Sequence, residues 1–268
     1  MSLGRSAIAT HLKQAATAMF PSLWVRWRLM NRAQSAEIEL TLLKNIVGRG
    51  DITVDVGANL GLYTRTLAQL SAMVHAFEPS SGVASILRRT SHRNVVVHEI
   101  ALSDSDGYAE LRIPRDGAHL THSLASLEPA AVAGQDVIAS RVPRARLDSV
   151  IHADVTFVKV DVEGHELNVL EGAHGLIDRC RPVFLVESEE RHREGATAAV
   201  FSYFHAKGYD GFFLRGREVF DVDDFDPRAD QDVSVLQSNG GRAGGRHYTN
   251  NFFFFPKERR GRVVLTAA

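Results

Sequence analysis

Two short stretches of this sequence combine carboxylates, glycines and an imidazole at spacings that could do chemistry. The first, Asp55 to Gly61, reads DVGANLG after the run ITV, and the second, Asp161 to Glu166, reads DVEGHE after VKV. Glycine lets the chain turn tightly and lets a ligand approach the backbone closely. Carboxylates and imidazoles can accept protons from a substrate. The first stretch therefore predicts a nucleotide-type cofactor site, and the second contains candidates for proton chemistry.

The spacing of the first stretch separates two classes of cofactor. A dinucleotide-binding turn has the pattern Gly-x-Gly-x-x-Gly, whereas this chain has Gly57-x-Asn59-x-Gly61. Asp55 stands two residues before the first glycine, where it would repel a pyrophosphate and attract the ammonium end of S-adenosylmethionine. Glu78, at the end of the next predicted strand, suits ribose hydroxyls in either case. The stretch therefore favours S-adenosylmethionine over NAD.

Alternating strand and helix patterns around these stretches predict an α/β fold. The apolar runs are rich in β-branched residues, as is typical of a parallel sheet that helices cover on both faces. Four consecutive phenylalanines, 252–255, predict a late strand that is buried on both faces. The predicted strands are 52–56, 73–77, 95–101, 155–160, 182–187, 209–214 and 251–255.

Two further segments complete the predicted organisation. Residues 1–47 are expected to form an N-terminal helical extension, with a helix from about 35 to 47, and residues 48–268 the main domain. Within that domain, the sequence predicts a β-rich insert at about 107–145 with a long irregular loop. Loops of this length usually have a function, for instance as a lid on the substrate side. His119 and His122 in this loop are either solvated residues or substrate contacts.

Composition limits the classes of partner and the compartment that we expect for this chain. The chain has 31 basic and 32 acidic residues, a formal net charge of -1, which gives no global electrostatic case for nucleic acid. A single cysteine, Cys180, excludes an internal disulfide, so a cytoplasmic location is the simplest expectation. No apolar stretch approaches the roughly 20 residues that span a bilayer. Residues 1–36 are basic and acid-free, so a transit peptide or a weak peripheral membrane contact stays open beside the packed helix that we favour.

Seven motifs occur in one order along the chain, and the ordered set is more specific than any single motif. They are VDVGANLGLYT (54–64), AFEP (76–79), ALSD (101–104), VKVDVEGHE (158–166), VLEGA (169–173), PVFLVE (182–187) and NNFFFF (250–255). The set resembles the FkbM-type methyltransferase family, a branch of the class I S-adenosylmethionine-dependent methyltransferases, over roughly residues 51 to 255. The resemblance implies a Rossmann-like, seven-stranded, mostly parallel sheet with an antiparallel last strand, and O-methylation, often of sugar hydroxyls.

The resemblance, together with the position of residues at strand ends, also implies cofactor contacts. Glu78 is expected to bind ribose hydroxyls. Asp104, which follows Ser103, resembles the position that hydrogen-bonds the adenine amino group, although a loop aspartate also forms turns. Tyr63 and Thr64 either reach the methionine part or merely pack. The residues expected to line the methionine part are Asp55, Gly57, Asn59 and Gly61.

The stretch from Asp161 to Glu166 is the expected chemical centre. A sugar hydroxyl gains from a base that accepts its proton, for which Glu163 and His165 are the candidates. Asp161 is expected to orient cofactor or substrate. Alternatively, Glu163 and Glu166 stabilise a helix N-terminus as first-turn acids. A further interpretation has Asp161, Glu163 and Glu187 binding a divalent cation, but we expect no metal because no additional ligand is identifiable.

The sequence therefore predicts an S-adenosylmethionine-dependent O-methyltransferase that acts on a small-molecule or glycan acceptor. Two alternatives stay open. One is N-methylation of protein or nucleic acid, which is disfavoured because no Asn/Asp-Pro-Pro-aromatic motif follows the fourth strand. The other is a cofactor-binding module that has lost catalysis.

Overall fold

The computed structural model describes residues 38–116, 119–236, 247–259 and 261–266. The strands are, in chain order, β1 (Ile52–Val56), β2 (Met73–Phe77), β3 (Val95–His98), β4 (Ala101–Leu102), β5 (Gly107–Asp116), β6 (His119–Leu120), β7 (Val137–Ala145), β8 (Phe157–Val160), β9 (Val183–Glu187), β10 (Tyr209–Arg215), β11 (Glu218–Asp221) and β12 (Asn251–Pro256). The helices are α1 (Ile38–Ile46), α2 (Leu62–Leu70), α3 (Ser81–Thr90), α4 (Leu147–Val150), α5 (Glu166–Glu171), α6 (His174–Cys180), α7 (Ala196–Ala206), α8 (Pro227–Asp230) and α9 (Gly261–Thr266).

The central sheet has the strand order β11-β10-β12-β9-β8-β1-β2-β3. Strands β9, β8, β1, β2 and β3 pair in parallel, and β12 runs antiparallel to both of its neighbours. The predicted α/β class, with a mostly parallel sheet and an antiparallel last strand, is confirmed. Asp55 lies in register between Ala76 and Lys159, so the carboxyl ends of β1, β2 and β8 meet at one edge of the sheet. Both stretches that could do chemistry therefore come to the same place.

Strand β11 adds an eighth strand to the seven that the sequence predicts. Gly216 has a φ of +65°, a left-handed conformation that glycine adopts readily, and it joins β10 and β11 in an antiparallel hairpin. Phe220 of β11 stacks on Phe213 of β10, with ring centroids 5.7 Å apart. A run as short as 218–221 is too short for its periodicity to stand out in the sequence.

The phenylalanine run in β12 fills the core on both faces of the sheet, as predicted. Phe252 and Phe254 pack in the core on one side, and Phe253 and Phe255 pack on the other. None of the four is more than 1% exposed. Burial of one such side chain contributes about 1.5–3 kcal/mol, so β12 anchors the antiparallel part of the sheet.

Helix α1 lies inside the helix predicted from about residue 35 to 47. It packs on the domain through Leu42 and Leu43, which are almost fully buried. The earlier, basic part of the predicted N-terminal extension falls outside the described residues. Among the helices that the structure describes, none is long and apolar enough to cross a membrane.

A second sheet, with the order β4-β7-β5-β6, occupies the predicted insert. The predicted third strand is divided, because Ala101 and Leu102 leave the central sheet and pair with β7 instead. The segment after β6 is less irregular than its sequence suggests. Ser126 exchanges backbone hydrogen bonds of 2.9 and 3.0 Å with Arg112 of β5, which brings this segment back against the second sheet.

Candidate active site

A cavity opens at the carboxyl ends of β1, β2 and β8. The space between its walls, including the open mouth, is about 610 Å³. Leu111 and His122, from the second sheet and the turn after it, contribute to the wall opposite the central sheet. Six of the predicted site residues line this cavity together: Gly57, Asn59, Glu78, Asp161, Glu163 and His165.

The turn after β1 requires glycine at two positions. Gly57 has a φ of +78°, and a Cβ on it would lie 1.8 Å from the backbone oxygen of Asp161. Gly61 has a φ of +87°, and a Cβ there would lie 2.6 Å from the side chain of Leu87 on α3. Both distances are far inside van der Waals contact. Gly57 therefore lets the turns after β1 and β8 touch at the cavity, whereas Gly61 lets α2 begin against α3, away from the cavity wall.

Glu78 closes the side of this turn that faces β2. Its two carboxylate oxygens accept hydrogen bonds from the backbone N–H groups of Asn59, at 3.0 Å, and Ser80, at 2.8 Å. Burial raises the pKa of Glu78 to about 7, although the two N–H donors oppose the shift. Each carboxylate oxygen can accept a second hydrogen bond. Glu78 therefore keeps acceptor capacity for hydroxyl groups in the cavity.

Asp55, Tyr63 and Thr64 lie behind the cavity wall rather than on it. The Thr64 hydroxyl donates to Asp55 Oδ2 at 2.5 Å, and both side chains are almost fully buried. Burial raises the pKa of Asp55 to about 6, although Thr64 and Lys159 oppose the shift. Lys159 Nζ lies 5.0 Å from the centre of the Tyr63 ring. The structure thus brings these residues together as a support for the turn from beneath.

Ser103, Asp104 and His165 form a chain of hydrogen bonds beside the cavity. The Ser103 hydroxyl donates to Asp104 Oδ1 at 3.2 Å, so it accepts from His165 Nε2 at 2.9 Å, because a hydroxyl has one proton. His165 Nδ1 then carries a lone pair, and it is buried without a partner among the described residues. Asp104 itself is exposed, and hydrogen bonds from Ser105 and Asn168 lower its pKa. The carboxylate of Asp104 therefore orients Ser103 and His165 from outside the cavity.

The turn after β8 gives Glu163 and Glu166 different roles, which the sequence left open. The Gly164 N–H donates to Glu166 Oε1 at 2.8 Å, so Glu166 is a first-turn acid at the start of α5. Glu163 precedes the helix, has a φ of +53°, and lines the cavity instead. The Ser126 hydroxyl donates to the backbone oxygen of Glu163 at 2.6 Å. The turn therefore presents Glu163 to the cavity while Glu166 holds its far end.

The carboxylate of Glu163 is backed by His192, a residue that the sequence did not single out. His192 Nε2 lies 2.9 Å from Glu163 Oε2. Burial raises the pKa of Glu163, and the contact with His192 opposes this shift. Burial alone would lower the pKa of His192, but the contact with Glu163 and the charge of Glu189 raise it above its usual value. The pair of Glu163 and His192 therefore stands beside the turn that begins at Asp161.

A second buried group lies beside Asp161. Lys159 Nζ is 3.6 Å from Glu187 Oε2 and 3.2 Å from Asn251 Oδ1, and Glu187 Oε1 accepts from Asn250 Nδ2 at 2.6 Å. The sequence signal for this group is Lys159, a charge inside an apolar strand, which must find a partner when buried. Within the described ranges, no three His, Cys, Asp or Glu side chains are arranged to bind a metal ion.

The residues around the cavity fit S-adenosylmethionine. Glu78 has the acceptor capacity that two ribose hydroxyls require, and apolar walls such as Leu102 suit an adenine ring. His165 also lines the cavity, so its ring can pack against the base. Asp161 supplies negative charge for the cationic end of the cofactor.

Comparisons with known proteins agree with this fit. The family model described as the methyltransferase FkbM domain matches residues 55–210, more than half of the chain. The hexuronic acid methyltransferase AglP of Haloferax volcanii is 29% identical over 153 residues, which are 54% of this chain and 59% of AglP. The chain thus spans less than two thirds of the length of that relative.

Two solved structures resemble this chain at low identity. The methyltransferase FkbM from Methylobacillus flagellatus KT has a TM-score of 0.48 and 17% identity, over 77% of this chain and 44% of that one. The SMU.1697c protein of Streptococcus mutans, in complex with SAH, has a TM-score of 0.45 and 10% identity, over 82% and 96% of the two chains.

Proposed function

Because this chain belongs to the FkbM methyltransferase family, we propose that it is an S-adenosylmethionine-dependent O-methyltransferase that methylates a hydroxyl group of a carbohydrate-like acceptor. The observation that carries this proposal is the position of Glu163. It is a carboxylate on the wall of the cofactor cavity, next to the carboxyl end of β1, with a raised pKa and a histidine behind it. A hydroxyl acceptor needs such a proton acceptor at that place.

The cofactor would be held from three sides. Glu78 accepts the ribose hydroxyls, the backbone at Gly57 and Asn59 lies along the methionine part, and His165 with Leu102 meets the base. Asp55 and Thr64 hold the glycine turn in place from beneath. When bound, S-adenosylmethionine supplies a methyl group on a positively charged sulfur. The chain's own contribution is to orient the acceptor and to take up its proton.

Glu163 suits the role of proton acceptor better than His165 does. His165 has its Nε2 proton committed to Ser103 and lies beside the residues expected at the base. Burial lowers the pKa of His165 and raises that of Glu163. A carboxylate whose pKa is raised is a stronger base than an ordinary one. The chain would therefore gain activity as the pH rises and Glu163 loses its proton.

The acceptor class rests on one relative. AglP, whose name describes it as a hexuronic acid methyltransferase, is 29% identical to this chain over 153 residues. A carbohydrate hydroxyl also matches the need for a base, whereas the neutral amine of an N-methylation substrate needs none until after transfer. The acidic groups around Asp161 and Glu163 favour a neutral sugar over an anionic one at the methyl-accepting end.

Calorimetry and an acceptor screen test this function together. The full chain is expected to bind S-adenosylmethionine and to bind NAD far more weakly; tighter binding of NAD would overturn the cofactor assignment. A radiolabelled methyl donor is then offered with neutral sugars, hexuronates, amines, peptide and RNA. Transfer to sugar hydroxyls is expected. Label on amines, peptide or RNA would instead support N-methylation, and cofactor binding without transfer would support an inactive module.

A further inference from the structure

His192 stands directly behind the carboxylate that faces the cavity. Its Nε2 lies 2.9 Å from Glu163 Oε2, and its side chain is 7% exposed, while that of Glu163 is 15% exposed. Glu163 Oε2 is buried and makes no hydrogen bond of regular geometry among the described residues, although it lies within ion-pair distance of His192. The exposed part of the carboxylate is therefore its other oxygen. One oxygen of Glu163 faces His192, and the other is available to the cavity.

The backbone around Glu163 is held so that this pair can form. Its φ of +53° is a left-handed conformation, which is strained for a residue with a Cβ. The Ser126 hydroxyl on the Glu163 carbonyl and the Glu166 carboxylate on the Gly164 N–H hold the turn in this conformation. At Gly164, a Cβ would lie 3.1 Å from His192 Cβ, so the chain runs tightly past the histidine. Strain of this kind is maintained where a site needs it.

His192 is the basic side chain of the segment after β9 that faces Glu163. The neighbouring Arg191 is committed to Glu189, with two contacts of 2.5 and 2.9 Å, and the Tyr248 hydroxyl donates to the same carboxylate. The central sheet contributes the pair of Lys159 and Glu187. The charged or titratable groups that surround the Glu163–His192 pair are Asp161, Glu128, Glu166, Glu187, Glu189, Arg191 and Lys159.

We propose that His192 is a positioning residue for methyl transfer, which fixes the Glu163 carboxylate with one oxygen towards the imidazole and the other towards the acceptor hydroxyl. The role rests on the proposed function. In the reaction, the acceptor O–H bond breaks, its proton goes to Glu163, and the electron pair stays on the acceptor oxygen, which becomes the nucleophile. The bond from this oxygen to the methyl carbon would form as the bond from that carbon to the sulfonium sulfur breaks. The sulfur would keep that electron pair and leave as the neutral thioether S-adenosylhomocysteine. His192, as a cation, keeps Glu163 ionised until that moment. Without it, the buried carboxylate would hold a proton over more of the pH range and would rotate freely.

The test combines a titration that needs no activity with a pH–rate profile. Nitrogen NMR of the full chain follows the imidazole of His192, whose pKa is expected above the usual value of about 6.5 and to fall in Glu163→Gln. If Glu163→Gln leaves that titration unchanged, the pair does not exist and the proposal is wrong. The variants for kinetics are His192→Ala, His192→Gln, which keeps a neutral donor, and His205→Ala, a control whose imidazole lies on α7 near Asp223.

His192→Ala is expected to lower kcat by about 10- to 100-fold, less than the roughly 10²–10⁴-fold that a proton acceptor itself contributes. The acid limb of the pH–rate profile of this variant is expected to move to higher pH. The Kd for S-adenosylmethionine should stay within about twofold of the wild-type value. His192→Gln should recover part of kcat but keep the shifted acid limb of the pH–rate profile, because its amide places a neutral donor beside the carboxylate and carries no charge. His205→Ala should match the wild type. An unshifted limb in both His192 variants would overturn the proposal.

The activity of the wild-type chain distinguishes a wrong proposed function from a wrong role of His192. A wild-type chain that binds the cofactor but methylates no acceptor would refute both the function and the role of His192 in it. An active wild type with normal His192 variants would refute the inference alone. Melting curves of the variants check that any loss of kcat does not come from unfolding.

Discussion

Replacement of Glu78 by glutamine tests the cofactor site most sharply, because the change keeps the size of the side chain and removes its charge. Glu78 is 7% exposed, and its two oxygens accept backbone N–H groups at 3.0 and 2.8 Å. A glutamine has one carbonyl oxygen, so one of these N–H groups would face an amide NH₂ instead. Leaving a buried donor unpaired costs about 1–3 kcal/mol. Removal of a charge whose burial raises the pKa of Glu78 to about 7 offsets this cost, so we expect the free energy of unfolding to change little.

The effect of this change on cofactor binding is expected to be larger than its effect on stability. Hydrogen bonds to a charged group contribute about 1.5–3 kcal/mol each, and the carboxylate has capacity for two hydroxyl groups. Loss of even one such bond raises Kd about 10- to 100-fold, since 1.4 kcal/mol corresponds to a factor of ten.

Calorimetry with S-adenosylmethionine measures this change, and Glu99→Gln, an exposed acid paired with Arg88, is the matched control. Because the pKa of Glu78 is raised to about 7, wild-type affinity should also strengthen as the pH rises through that value, and Glu78→Gln should lose this dependence. A Kd for Glu78→Gln within twofold of the wild-type value would refute the assignment of Glu78 to the ribose.

Three further predictions address the turns and the buried acids. Gly57→Ala places a Cβ 1.8 Å from the backbone oxygen of Asp161, so calorimetry should detect no cofactor binding; binding of normal strength would show that the turns can separate freely. Ser126→Ala removes the 2.6 Å bond to the Glu163 carbonyl; kcat should fall several-fold with an unchanged Kd for the cofactor, and an unchanged kcat would show that the turn needs no such support. Burial raises the pKa of Glu166 to about 7, so its contribution to stability is present below about pH 4.3 and is lost as the pH rises through about 7. Denaturant unfolding of Glu166→Gln should therefore show a weaker fall in stability between pH 5 and 8 than the wild type shows; equal slopes would contradict the assignment.

Local patterns predicted the parts of the fold that depend on neighbouring residues. The sequence predicts the strand that ends at Val56, the glycine turn after it and the buried phenylalanine strand. Each of these depends on the types of adjacent residues and on how the apolar ones repeat. The family resemblance, which makes the stretch from Asp161 the expected chemical centre, also implies that this stretch lies beside the turn after Asp55. The structure places the backbone of Asp161 against Gly57, as expected.

Features that depend on distant pairing could not be predicted in this way. Ala101 and Leu102 are apolar like the residues of β3, and their pairing with β7 instead of the central sheet is seen only in the folded chain. The sequence gives no sign that Asp55 Oδ2 accepts a hydrogen bond from the Thr64 hydroxyl behind the cavity wall, so the expected contact of Asp55 with the cofactor stays a prediction. His192 carries no signal at all, because its partner Glu163 is far away along the chain and the contact exists only after folding.

One measurement tests the central claim most directly: the site of the methyl group in the product. The full chain is incubated with a methyl-labelled donor and the sugar that the screen identifies, and the product is analysed by carbon NMR. We expect a methyl ether on a sugar oxygen with the wild-type chain, and little or none with Glu163→Gln, although that variant still binds the cofactor. A label on nitrogen or carbon, or full activity in Glu163→Gln, would contradict the account.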